Sequence, residues 1–151
     1  IAEVVNRDFK GEEIDLIALN DSPKLFINDF IKHLKLKYKC LELRFINYNN
    51  RTPSGEVKII RDLDSPVYDR NIFLVDGIII SGVTHYYLSN YLMQSLPKSL
   101  SILSVGKKSN LINKKLPKTY TLFEFKDEIV EGYGFGRESL NKKKYLVDLN
   151  Q

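Results

Sequence analysis

The chain has a single cysteine, Cys40, so no internal disulfide can staple it, and a reducing compartment, the cytoplasm, is expected. Long apolar runs are missing: none approaches the roughly 18 residues of a membrane span, and no signal-peptide pattern is visible, so no membrane partner is expected. A surplus of one charge is nearly missing too. With 23 basic residues against 19 acidic ones the formal charge is only +4, which suits an anionic small molecule better than a nucleic-acid groove. No internal repeat, low-complexity tract or linker divides the sequence, and one domain over residues 1–151 is expected, long enough to bury a core without staples. The first residue is Ile1 rather than methionine, which leaves room for residues ahead of it. Hydrophobic content of 43% with 28% charged residues excludes the disordered and fibrous classes.

What is present centres on Asn71 to His85, N-I-F-L-V-D-G-I-I-I-S-G-V-T-H. An apolar run reaches an acid at Asp76, a second apolar run follows, and Ser81-Gly82-Val83-Thr84 opens a predicted helix. Buried strands of parallel sheets are near-continuously apolar, and ligands sit where such strands end and helices begin. A glycine between hydroxyl residues at a helix start offers backbone N–H groups, two O–H donors and the positive end of the helix dipole, a combination that suits phosphate. The same residues also suit a plain capping turn.

Around this stretch, helical spacing of Ile1, Val4, Val5 and Phe9 predicts a short amphipathic helix, broken at Lys10-Gly11. Ile14 to Leu19 reads as a strand, with Ser22 as N-cap and Pro23 at the first position of a helix running to about Lys37. Leu41, Leu43 and Phe45 alternate with polar residues as a strand, Asn47 to Gly55 is loop, and Glu56 to Arg61 is strand again. After Thr84, residues Tyr87, Leu88, Tyr91 and Leu92 are expected on one helix face, ending before Pro97. Leu100 to Val105 is strand, Lys107 to Lys118 a basic loop, Thr119 to Phe125 strand, Gly132 to Gly136 a flexible turn, and Tyr145 to Leu149 a closing strand. Alternating strands and helices predict an α/β sheet with right-handed crossovers.

In order and spacing the chain resembles the type I phosphoribosyltransferases, hypoxanthine-guanine branch. The carriers are I-A-E-V-V-N-R-D-F-K-G at the start, F-I-N-Y then S-G-E-V-K-I-I, F-L-V-D-G-I-I-I-S-G-V-T, and F-E-F-K-D-E-I-V-E-G-Y-G-F near the end. The resemblance implies a mostly parallel central sheet flanked by helices with a small hood, and transfer of a phosphoribosyl group from phosphoribosyl pyrophosphate to a purine, with Mg2+ holding the pyrophosphate. It implies that Ser81, Gly82, Val83 and Thr84 cradle the 5′-phosphate and that Asp76 faces the ribose hydroxyls, where an acid can accept two hydrogen bonds. Lys107 would donate to the exocyclic oxygen of the base, Ile129 would lie on its face, and the backbone of Val130 would read its edge. Residues Asn47 to Ser54 would form the lid. A homodimer is expected, as relatives commonly form.

The family signature at the central stretch is close to V-E-D-I-I-D-T-G-K-T, and the departures from it fall on chemistry. Gly77 stands where a second acid is expected, Ile80 where an acid takes the purine proton, and Gly136 where a metal-binding acid follows the G-Y motif. The lysine-glycine-glycine loop is shortened to Asn20-Asp21-Ser22-Pro23-Lys24, and the expected late arginine falls near Asn141 or Lys142. General-base catalysis contributes roughly 10²–10⁴-fold, and electrostatic stabilisation of a leaving pyrophosphate often more. The resemblance therefore implies a nucleotide pocket more directly than turnover, and the alternative is a catalytically silent nucleotide sensor or partner-binding member. A nucleic-acid binder using the Lys107 to Lys118 and Lys142 to Lys144 segments is a third, weaker reading. His85 and His33 read as surface side chains, and Tyr86, Tyr87 and Tyr91 as helix packing or a dimer face rather than a base-stacking box.

Overall fold

The computed structural model describes residues 1–47, 57–110, 116–126, 130–133 and 146–148. In chain order these form α1 (Ala2–Asp8), β1 (Glu13–Leu19), α2 (Lys24–Ile31), β2 (Lys37–Asn47), β3 (Val57–Arg61) and β4 (Asn71–Ile79). There follow α3 (Val83–Met93), β5 (Ser99–Lys108), β6 (Lys118–Phe125), β7 (Val130–Gly132) and β8 (Leu146–Asp148). Six strands make one sheet in the order β3-β2-β1-β4-β5-β6, parallel throughout except for the antiparallel β2–β3 pair. β7 and β8 pair antiparallel in a small second sheet. The expected α/β architecture is thus present.

Apolarity decides which strands are central. β1 and β4 are near-continuous apolar runs, and Ile14, Leu16, Ile17, Ile72, Phe73 and Leu74 are wholly buried, as a strand covered on both faces requires. One face meets α1 and α2, where Val5, Phe26, Ile27 and Phe30 pack with Phe73, Val75, Leu103 and Tyr120. The other meets α3, where Leu88 and Leu92 pack with Ile17, Leu74 and Ile102. Each fully buried side chain of this size stabilises by roughly 1.5–3 kcal/mol.

Two boundaries differ from the sequence expectation. α2 ends at Ile31 rather than near Lys37, because Asn6 of α1 grips the following turn: its Nδ2 donates to the His33 carbonyl at 3.0 Å and its Oδ1 accepts the Lys35 N–H at 2.7 Å. Nor is the 107–118 segment all loop. Lys107 and Lys108 finish β5 and Lys118 starts β6, while 111–115 lie outside the described residues.

The N-terminal edge of the sheet is closed by charge. Arg70 donates through Nε and Nη2 to both oxygens of Asp15, at 3.1 and 2.7 Å, and through Nη1 to Glu13 at 3.1 Å. Asp15 is only 1% exposed, and its carboxylate raises the pKa of the guanidinium further. Asn71 adds donation to Glu12 and to the Glu13 carbonyl, and accepts from Ser99. Removing one partner of a buried pair strands the other charge, so Arg70→Ala is expected to lower stability by about 3 kcal/mol in urea unfolding; a loss below about 1 kcal/mol would refute the clamp.

Asp8 ties α1 to β6, accepting from Lys118 at 2.9 Å, from Tyr120 at 3.0 Å and from Arg7 at 3.0 Å. Lys118 leads these in holding the carboxyl down from 3.8 to about 2. A carboxylate with a depressed folded-state pKa stabilises above its unfolded value and loses that contribution as pH falls through the folded one. The difference in Tm between the wild type and Asp8→Asn should therefore be full above pH 3.8 and vanish by about pH 2, in melts across that window.

Candidate functional site

β4 runs to the C-terminal edge of the sheet, and alternation from Ile72 and Leu74 turns Asp76 to the face that α3 covers. The carboxylate is held from several directions. Gly77 N–H donates to Oδ1 at 2.7 Å, and the Ser22 hydroxyl donates to the same oxygen at 3.2 Å. Nε2 of His85 stands 3.0 Å from Oδ2. That N–H is not aligned with the oxygen, so the pair is a close polar contact rather than a well-directed hydrogen bond.

Both partners depart from the sequence expectation. Ser22 does not cap α2: Pro23 takes the cap position with no side-chain bond, which leaves the hydroxyl for Asp76. His85 is not a surface side chain but is buried, with 5% of it exposed. The buried face of α3 is His85, Leu88, Ser89 and Leu92, whereas Tyr86 and Tyr87 are exposed and Tyr91 donates to Asp62. The signal lay in the spacing, since residues three and seven before Leu88 and Leu92 share their stripe and His85 is at both offsets. His33 is exposed, as expected.

After β4 the backbone turns through Gly82, whose φ of +75° is one that a β-carbon disfavours. The first helical bond runs from Tyr86 N–H to the Gly82 carbonyl at 2.9 Å, so the N–H groups of Val83, Thr84 and His85 have no carbonyl within the helix to take them. Ser81 Oγ accepts the Val83 N–H at 3.3 Å, and the Thr84 hydroxyl donates to Asn47 Oδ1 at 3.4 Å. Ser81, Val83 and Thr84 keep part of their surface open. This turn can therefore receive an anion, with Asp76 held by Gly77 and Ser22 and in contact with His85 of the same turn.

The neighbouring loop after β1 carries opposed charges. Asn20, at φ +58°, accepts the Phe45 N–H at 2.9 Å. Asp21 accepts from Lys24 and, at 3.2 Å, from Arg44, and Lys24 holds its carboxyl below the usual range. Two cations at the edge are thus already engaged by a carboxylate. Lys107 lies beside Ile79 in register, and its ammonium pairs with Glu124 at 2.7 Å, while Ile80 is 64% exposed. Val130 lies in β7, paired with Asp148 of β8; Ile129, Gly136 and all of the lid after Asn47 lie outside the described residues.

Among the described residues no three His, Cys, Asp or Glu side chains cluster as a metal cage. Gly77 and Ile80 add no ligand, so the set does not fit a protein-held Mg2+. A cavity of about 720 Å³ lies elsewhere, lined by Phe26, Phe30, Val105, Leu122, Phe123 and Tyr133 among others. Its walls are mainly apolar, with Asn6, Lys32, His33 and Lys35 among the polar lining residues, and it contains none of the residues of the turn after β4. The turn after β4 has the chemistry that suits an anion, with helix N–H groups left free of helical acceptors.

No protein-family model matches the chain. It is similar to a hypoxanthine phosphoribosyltransferase of Buchnera aphidicola subsp. Schizaphis graminum, at 31% identity over 137 residues, covering 89% of this chain and 77% of that protein. A hypoxanthine-guanine phosphoribosyltransferase of Bacillus subtilis is 36% identical over 110 residues, covering 72% and 61% respectively. The crystal structure of a hypoxanthine-guanine phosphoribosyltransferase from Bacillus anthracis, with a HEPES molecule in its active site, superposes at a TM-score of 0.91 with 29% identity, covering 98% of this chain and 88% of that one.

An anion held by the turn after β4 should stabilise the fold in proportion to its occupancy. Inorganic phosphate is expected to raise the Tm of the wild type, and the paired changes Ser81→Ala and Thr84→Val to weaken its binding roughly tenfold, the worth of a lost charge-assisted hydrogen bond. Equal phosphate affinity in the paired variant, read by calorimetry, would exclude the two hydroxyls from the seat, and no rise in Tm of the wild type with phosphate would exclude the turn.

Proposed function

Because the chain belongs to the hypoxanthine-guanine phosphoribosyltransferase family, we propose that it binds phosphoribosyl pyrophosphate or a purine nucleotide at the turn between β4 and α3. In this reading Ser81, Gly82, Val83 and Thr84 receive the 5′-phosphate and Asp76 accepts from the ribose. Lys107 reaches the exocyclic oxygen of a purine after leaving Glu124, Ile129 lies against the base and the Val130 backbone reads its edge. The observation that carries this is the fixed place of Asp76 beside the open first turn of α3, at the carboxyl ends of parallel strands.

The reaction forms a bond from a purine nitrogen to C1′ of the ribose, breaks the C1′–O bond to diphosphate, and releases diphosphate and the purine's proton. Ile80 cannot accept that proton, so it passes to water. The described residues of this chain do not make a site for Mg2+, which would be held by the diphosphate itself and would supply charge stabilisation for it as the leaving group. The whole acts in the cytoplasm as a single domain and as a homodimer. No helix among the described residues is long and apolar enough to cross a membrane.

A second reading is a silent family member that senses a purine nucleotide or joins a partner through the same pocket. Gly77, Ile80 and the engagement of Lys24 and Arg44 by Asp21 favour it. One assay separates the readings: phosphoribosyl pyrophosphate and magnesium with each of hypoxanthine, guanine, xanthine and adenine, followed for nucleotide and diphosphate. Losing general-base catalysis from a typical turnover predicts a rate on the order of 0.1 s⁻¹ or below, abolished by Asp76→Ala and raised by Gly77→Asp with Ile80→Asp. Nucleotide binding without product supports the silent form. Neither product nor binding overturns both.

A further inference from the structure

We propose that His85 is a positioning residue that orients Asp76 toward a single ribose hydroxyl, which deepens the reading above and rests on it. The imidazole is buried on the inner face of α3, and its Nε2 stands 3.0 Å from Asp76 Oδ2, with no well-directed hydrogen bond among the described residues. A buried polar nitrogen without a partner is destabilising, and a leucine would extend the apolar stripe of Leu88 and Leu92 at no such penalty. What the nitrogen does instead is stand against a carboxylate that stays partly exposed next to the first turn of α3.

The acceptor count sharpens this. An ionised carboxylate offers about four lone-pair sites. Gly77 N–H and the Ser22 hydroxyl take those of Oδ1, and His85 stands against Oδ2. The hydrogen bonds fill Oδ1 alone, and the imidazole crowds one side of Oδ2, so on this proposal Asp76 receives one hydroxyl on the other side rather than the two that a free acid could accept. With glycine at position 77 there is no neighbouring acid to share the sugar, and the orientation of one carboxylate sets all of its hydroxyl recognition. Ser22 restrains one oxygen and His85 the other. Without His85, the Oδ2 side is free to swing.

The test uses the full chain and calorimetry with ribose 5-phosphate, its 2-deoxy and 3-deoxy analogues, and inorganic phosphate. The wild type should prefer ribose 5-phosphate over one deoxy analogue by roughly tenfold, the worth of a hydrogen bond to a charged acceptor. In His85→Leu that preference should fall to about onefold while phosphate affinity stays within about twofold, and His85→Gln, whose amide can donate to Oδ2, should restore it. Asp76→Asn should also erase the preference, and adding His85→Leu to it should change nothing further. Preference retained in His85→Leu overturns the proposal, as does a parallel loss of phosphate affinity, which would mean that His85 merely supports the turn. If the wild type binds phosphate but discriminates against neither analogue, the role of His85 falls and the phosphate seat stands. If it binds none of the four ligands, the seat itself is wrong and both fall. Should His85→Leu fail to fold, as judged by circular dichroism, His85→Gln and the Asp76→Asn comparison decide the matter.

Discussion

The parallel pairing of β1 with β4 organises everything else. Both strands are buried on both faces, and their register, Ala18 opposite Val75, brings the loop after one strand against the last polar residue of the other. That is how Ser22 meets Asp76 across 54 positions of sequence. A slip by one residue would turn every apolar side chain of β1 to the opposite face, so the core enforces the register, and the register builds the site. Stability and function here share one constraint, with no separate scaffold for each.

The two edges of the sheet treat charge in opposite ways. At the N-terminal edge Arg70, Asp15 and Glu13 satisfy one another, and Asn71 with Ser99 completes the network. At the C-terminal edge the first amides of α3 have no helical acceptor, and the helix dipole points its positive end outward. Between these extremes lies the loop after β1, where Asp21 draws Lys24 and Arg44 together. A diphosphate arriving there would have to displace a carboxylate from its cations, a competition that the backbone amides of α3 never face.

Much of the fold was legible because it rests on local pattern. The apolar runs of β1 and β4, the alternation of β2 and the Gly82 turn each announce themselves within ten residues or so. What escaped depends on partners far along the chain. The end of α2 is set by Asn6, a residue of another helix, and Lys107 is drawn to Glu124 on the next strand. Ser22 looked like a cap because serine before proline usually is one; only the β1–β4 register offers its hydroxyl a carboxylate instead. His85 was hidden for a different reason. A histidine at a helix start is ambiguous by type, yet its offset from Leu88 and Leu92 placed it inward, so here periodicity was the better guide than residue identity.

Binding and chemistry draw on different materials, which is why they can part company in one chain. An anion seat at a helix start is made chiefly of backbone, and backbone amides persist through almost any side-chain change that keeps the turn. Proton transfer and metal holding need particular side chains with particular acidities, and a single substitution removes each. In this chain the backbone part of the edge is present and Gly82 keeps the geometry that exposes it, whereas positions 77 and 80 carry a hydrogen and a hydrocarbon. On the reading proposed, recognition of the sugar phosphate is therefore the more durable property. On that reading a lone acid at Asp76, with Ser22, Gly77 and His85 around it, holds a ligand still, while position 80 offers no group to take the purine's proton.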